Sequence, residues 1–212
     1  VSFPIDRRVI VSRPNILTRE AGEGEGETPP RRTITGYAAV FNEWTTLWSY
    51  RGGEVREVIR PGAFRIALET SQDVRALENH DSSRLLGRTK AGTLRLREDD
   101  KGLWFEVDPP NTRTADDLIE NLRAGNIDQC SFAFQARKDG GQRIIRREEG
   151  ERSITEIELL SVDLYDVSIV TYPAYEGTSA SVGLRDRLSA EKTAYLNIVD
   201  SKIASFLENL EK

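Results

Sequence analysis

Proton transfer near neutral pH needs a group that can both accept and release a proton, and this sequence offers a single imidazole, His80, within Glu78-Asn79-His80-Asp81. Apart from a retuned carboxylate or amine, any general base must be this residue. A lone histidine is more often a surface or structural group than a reacting one. The polar neighbours nevertheless set His80 at the end of a strand, where a site can open.

A candidate nucleophile lies in Cys130-Ser131-Phe132-Ala133-Phe134. If this run is a strand, its side chains alternate between faces, so Cys130, Phe132 and Phe134 share an apolar face while Ser131, Ala133 and Gln135 share the other. Small Ala133 leaves room beside the hydroxyl for a substrate backbone. Cys130 is intrinsically the better nucleophile, but on the phenylalanine face it is a buried, inert thiol. A thiol mechanism with Cys130 and His80 would need a bulge, since Cys130 and Ser131 cannot otherwise face one imidazole. By pattern alone, an ordinary strand serine is the simpler reading of Ser131.

A third group would hold the imidazole and stabilise its protonated form. Asp166, Glu158 and Asp163 are the candidates. Asp166 interrupts the strand-like Leu164-Tyr165-Asp166-Val167-Ser168-Ile169-Val170, where a carboxylate is costly to bury unless paired. An edge-strand aspartate facing water fits that position equally well.

The elements that would position these groups are mostly strands. Thr33 to Phe41, Val55 to Arg60 and Val74 to His80 read as strands, and Thr93 to Arg97 with Leu103 to Val107 reads as a hairpin about Glu98-Asp99-Asp100-Lys101-Gly102. Asn111 or Thr112 can cap a helix carrying Ala115, Leu118, Ile119 and Leu122, with Gly125 ending it. Gln129 to Arg137 and Arg143 to Arg147 suggest a second hairpin about Asp139-Gly140-Gly141, and Leu159 to Thr171 a long strand. Arg8 to Val11 could be a peripheral strand. The fold class is therefore mainly β with helices (α+β).

Three segments are expected. Residues 1–32 form an N-terminal extension that includes the Gly/Glu/Pro run Glu20 to Pro30, which has nothing to bury and reads as a linker or loop. Residues 33–184 form the main domain. Residues 185–212 form an amphipathic helix through Leu188, Tyr195, Ile198, Val199, Phe206, Leu207 and Leu210.

Composition excludes several function classes. The 212 residues are 38% hydrophobic and 31% charged, without an apolar run near the roughly 20 residues of a membrane span. No secretory signal pattern opens the chain, so a cytoplasmic location is the default, and a start at Val1 points to processing or trimming. A net charge of -5, with arginines scattered throughout, disfavours nucleic acid. One cysteine excludes an internal disulfide, and one histidine excludes a Cys/His zinc set. Neither cofactor nor metal is expected.

Five ordered blocks between about Thr33 and Ala180 resemble one family. They are Gly36-Tyr37-Ala38-Ala39-Val40-Phe41-Asn42, Ile59-Arg60-Pro61-Gly62-Ala63-Phe64, Asn79-His80-Asp81 followed by Leu86-Gly87-Arg88, Ser131-Phe132-Ala133-Phe134, and Asp166 to Ala174. The family is that of the prohead maturation proteases of tailed phages, whose fold resembles the herpesvirus capsid protease, assemblin. The resemblance implies a closed or partly closed antiparallel β-barrel with surrounding helices, His80 as base and Ser131 as nucleophile. Herpesvirus capsid proteases use a second histidine as third member. This chain has none, and Asp166 occupies the corresponding strand, with Glu158 in reserve; phage relatives commonly carry a carboxylate there, usually Glu.

The resemblance further implies a substrate, the scaffolding protein or the scaffolding segment of the major capsid protein, together with the protease's own termini. It implies a homo-oligomer acting inside the assembling prohead in the host cytoplasm, without nucleic acid or membrane as partner. The arginine-rich loop that helps supply oxyanion donors in the herpesvirus enzymes is replaced here by Tyr172 to Thr178, where Pro173 has no N–H to give, so those donors stay unassigned. Two rivals remain: a catalytically silent capsid-assembly scaffold on the same fold, and a β-rich binding domain.

Overall fold

The β-branched and aromatic runs found in the sequence become thirteen strands in a computed structural model that describes residues 6–10, 14–19, 31–50 and 52–172. These are β1 (Asp6–Ile10), β2 (Asn15–Arg19), β3 (Arg31–Val40), β4 (Thr45–Tyr50), β5 (Gly53–Ile59), β6 (Arg75–Glu78), β7 (Asp81–Arg88), β8 (Leu94–Glu98), β9 (Gly102–Val107), β10 (Gln129–Ala136), β11 (Gln142–Glu149), β12 (Arg152–Leu159) and β13 (Val162–Val170). Two helices, α1 (Arg65–Glu69) and α2 (Arg113–Arg123), accompany them. None of the helices among the described residues is long and apolar enough to cross a membrane.

The strands form three sheets, in the orders β1-β10-β13-β6-β7, β11-β12-β5-β4 and β2-β3-β9-β8. The mainly β character with few helices is as expected, but the barrel is not. Each outermost strand has one partner, so no sheet among the described residues closes on itself. Nor is the pairing wholly antiparallel, because β12 runs parallel to β5 and β13 parallel to β6.

Local chemistry explains the elements that the sequence located well. Thr112 caps α2 through its side-chain oxygen, which accepts from the Ala115 N–H at 3.3 Å, and Gly125 follows the helix at φ +73°. The β8–β9 turn is closed by Asp99, whose Oδ1 accepts from the N–H groups of Lys101 (2.9 Å) and Gly102 (3.1 Å).

Two further expectations need correction. The hairpin joining Gln129–Arg137 to Arg143–Arg147 does not form: β10 pairs with β1 and β13, whereas β11 pairs with β12. The reason lies in the side chains, since β10 is apolar and buried while β11, QRIIRREE, is charged and mostly exposed. The single long strand from Leu159 to Thr171 is two strands in different sheets. The chain breaks at Leu160 and Ser161, whose N–H groups both donate to the Gly141 carbonyl.

One core serves all three sheets. Phe64 meets Phe132 edge-on at 5.4 Å, Phe132 stacks on Phe134 at 5.1 Å, and Ile34, Phe105, Ile59 and Ile157 join the same buried cluster. Burial of each phenylalanine contributes about 1.5–3 kcal/mol, and this anchors β10 from its apolar face. The run Glu20 to Pro30 and the expected C-terminal helix of residues 185–212 lie outside the described residues. In sequence, residues 20–30 connect β2 to β3, which pair antiparallel.

Candidate active site

β10 and β13 run antiparallel with Ser131 opposite Ser168 and Ala133 opposite Asp166, before a bulge between Ala133 and Phe134. Directly opposed residues present their side chains on one face, so Ser131, Ala133, Asp166 and Ser168 share it. That face lies away from Phe132 and Phe134, as strand alternation requires.

His80 comes from a different construction. β6 and β7 pair through Glu78 and Asp81, leaving Asn79 and His80 as a two-residue turn. Both have positive φ, +54° and +56°, as a type I′ hairpin turn demands. An asparagine tolerates this region readily, but a histidine there stores strain of about 1–3 kcal/mol. Asn79 holds the turn against the end of β13: its Oδ1 accepts from the Thr171 N–H at 2.8 Å, its Nδ2 donates to Thr171 Oγ1 at 3.3 Å, and its own N–H donates to the Ile169 carbonyl at 2.9 Å.

The turn delivers the imidazole to both strands. His80 Nδ1 lies 2.7 Å from Asp166 Oδ1, and His80 Nε2 lies 2.6 Å from Ser131 Oγ. An ionised carboxylate can only accept, so Nδ1 carries the proton and donates to Asp166. In the neutral ring Nε2 is then the lone pair that faces the serine. Asp166 Oδ1 also accepts from Ser168 Oγ at 2.6 Å. This chain of contacts can pass a proton from the hydroxyl to the ring while the carboxylate fixes the tautomer.

Sequence reasoning gave no role to Ser168 or to the amide of Asn79. The signals were present as Ser168 two residues beyond Asp166 on a strand, and as an Asn-X pair between strand-like runs.

The other candidates lie elsewhere. Glu158, on β12, is clamped by Arg60, with Nη2 at 2.5 Å, and by Arg143. The hydrogen bonds from Arg60, opposed by burial and joined by Arg143, hold its carboxyl below the usual glutamate range. Asp163 accepts from Gln72 Nε2 at 2.8 Å and pairs with Arg137. Cys130 is fully buried among the phenylalanines, and burial pushes its thiol far above the ordinary range.

Ser131 has 0% exposure. Besides contacting His80, its Oγ donates to the main-chain carbonyl of Arg8 on β1 at 2.9 Å. β1 is the edge strand of this sheet, antiparallel to β10 with Val9 opposite Ser131.

No curated protein matches this chain. Among solved structures, it is similar to the capsid assembly protease of bacteriophage T4, gp21, at 13% identity over 76% of this chain and 96% of that one, with a TM-score of 0.41. The sequence pattern of the caudovirus prohead serine proteases matches residues 18–193, a stretch that includes His80, Ser131 and Asp166. A match over that much of its length means that the chain belongs to the caudovirus prohead serine protease family.

Proposed function

We propose that this chain is an active serine endopeptidase that matures the capsid of a tailed phage, with Ser131 as nucleophile, His80 as general base and Asp166 as the group that positions His80. The observation that carries this reading is the hydrogen-bonded run from Ser131 through His80 to Asp166, at 2.6 and 2.7 Å.

In the reaction, Ser131 Oγ attacks a peptide carbonyl carbon and its proton passes to His80 Nε2. The imidazolium is stabilised by Asp166. The same proton then goes to the leaving amide nitrogen as the C–N bond breaks, giving an ester on Ser131 and a free amine. Water, deprotonated by His80, hydrolyses the ester and regenerates the hydroxyl.

The substrates in this reading are the scaffolding protein or the scaffolding segment of the major capsid protein, and the protease's own termini. It acts as a homo-oligomer inside the assembling prohead, in the host cytoplasm. The domain of residues 33–184 is catalytic and assemblin-like, while residues 1–32 and 185–212 serve packaging or processing. The alternative, a silent assembly module, draws on the complete burial of Ser131.

The test is mass spectrometry of wild type, Ser131→Ala and Cys130→Ala after incubation with the cognate capsid or scaffold protein. Cutting by wild type and Cys130→Ala alone supports the serine mechanism. Equal cutting by Ser131→Ala removes it, and a Ser131 that changes nothing in an inert protein supports the silent module.

A further inference from the structure

β1 occupies the place that a peptide substrate would need. It lies antiparallel on the outer edge of β10, with Arg8 opposite Phe132 and Val9 opposite Ser131, so a main-chain carbonyl already sits against the nucleophile. A sheet edge binds extended peptides through its main-chain hydrogen bonds, while pockets for alternate side chains give selectivity. The Ser131 hydroxyl has one proton and two acceptors in reach, His80 Nε2 at 2.6 Å and the Arg8 carbonyl oxygen at 2.9 Å, so the carbonyl competes with His80 for it. The contact is therefore a docked arrangement, with the hydroxyl on oxygen instead of attacking carbon.

The side chain of Arg8 is received by a specific set of groups. Its Nε and Nη2 donate to Glu57 Oε1 (2.5 Å) and Oε2 (3.0 Å), a two-point pairing, and its guanidinium lies over the Phe134 ring at 5.2 Å. Glu57 is 4% exposed, and a carboxylate so placed is unfavourable without cationic or hydrogen-bonding partners. It reaches this position from β5, in a different sheet, so the acidic wall and the aromatic floor come from separate elements.

We infer that the outer edge of β10 is the substrate-binding strand, that Glu57 selects an Arg or Lys side chain in the position now held by Arg8, and that cleavage follows this basic residue. The inference rests on the serine protease reading. Ser131 Oγ would bond to the carbonyl carbon of the basic residue, the C–N bond to the next residue would break, and the proton would travel through His80 Nε2 to the departing nitrogen. The chain's own Arg8–Val9 bond is the built-in occupant of that position.

The experiment uses full-length wild type, Ser131→Ala, Glu57→Gln and Arg8→Glu with a complex mixture of synthetic peptides, and the new termini are read by mass spectrometry. Arg8→Glu sets like charges against each other, so β1 releases its place and cutting of added peptides rises several-fold. Cuts that vanish in Ser131→Ala are expected after Arg or Lys, and Glu57→Gln should weaken this preference by at least about tenfold. The wild-type and Arg8→Glu profiles decide the matter even if Glu57→Gln fails to fold. Ser131-dependent cuts without a basic preference, or with one that Glu57→Gln leaves intact, overturn the inference and leave the protease reading standing. No Ser131-dependent cut in any variant, Arg8→Glu included, overturns both.

Discussion

Glu158 on β12 and Asp166 on β13 are both buried carboxylates, at 3% and 8% exposure, on strands that follow one another in sequence. Their partners differ in kind. Glu158 is held by two guanidinium groups, Arg60 and Arg143, whose charge does not change at any ordinary pH. Asp166 meets His80 and Ser168, a ring that can gain a proton and a hydroxyl that can rotate. A carboxylate between arginines is fixed in its ionised state and serves the sheet. One facing an imidazole can answer the arrival of a proton, which is what a catalytic positioning group must do.

The largest effect that could break this comparison is on turnover. Ser131→Ala should lower kcat by about 10⁴-fold or more, and Asp166→Asn by about 10³–10⁴-fold, because the amide favours the wrong tautomer of His80. Glu158→Gln should leave kcat within about twofold. Steady-state kinetics on one cleaved peptide reads all three, and the comparison fails if Glu158→Gln is the more damaging of the two carboxylate variants.

Stability should show the reverse order. Glu158→Gln is expected to lose about 1–2 kcal/mol in urea unfolding at pH 7, a modest figure because both guanidinium groups are partly solvated. The lowered folded-state pKa of Glu158 gives the sign with pH: its contribution is complete above the ordinary glutamate value and lost as pH falls through the depressed one. Unfolding curves of wild type and Glu158→Gln should therefore converge in acid.

A smaller effect sharpens the site itself. Ser168→Ala removes one donor from Asp166, worth about 1 kcal/mol, so kcat should fall by up to about tenfold and recover in Ser168→Thr. Cys130 should give the smallest effect. Iodoacetamide at pH 8 should leave the folded protein unlabelled, since its thiol is buried and far above its ordinary pKa, and Cys130→Ala should retain activity.

How much of this was legible in the sequence depends on how local each cause is. The cap at Thr112 and the Asp99 turn are set by side chains bonding to residues two or three away, and the sequence displays both. His80, Ser131 and Asp166 could be nominated by chemical type and by ordered blocks, although their encounter depends on three strands distant in sequence. The β10–β11 hairpin failed because a Gly-Gly pair announces a turn without saying which sheet the chain enters next. The break at Leu160-Ser161 has no glycine or proline to mark it, since both N–H groups find their acceptor at Gly141. Glu158 could not be told from Asp166 because its arginine partners come from β11 and from the residue after β5. The place of Arg8 was equally hidden, because it is defined by an antiparallel pairing across 123 residues of sequence.

Four residues, 11–14, separate β1 from β2 in sequence. Such a tether holds β1 near β10 at an effective concentration on the order of millimolar, which sets the threshold a competing peptide must exceed. A substrate dissolved at micromolar levels would rarely displace it, whereas one packed beside the protein at millimolar levels would compete on equal terms. If β1 holds the substrate's place, the short connection would make local crowding, instead of a chemical signal, the quantity to which the site responds.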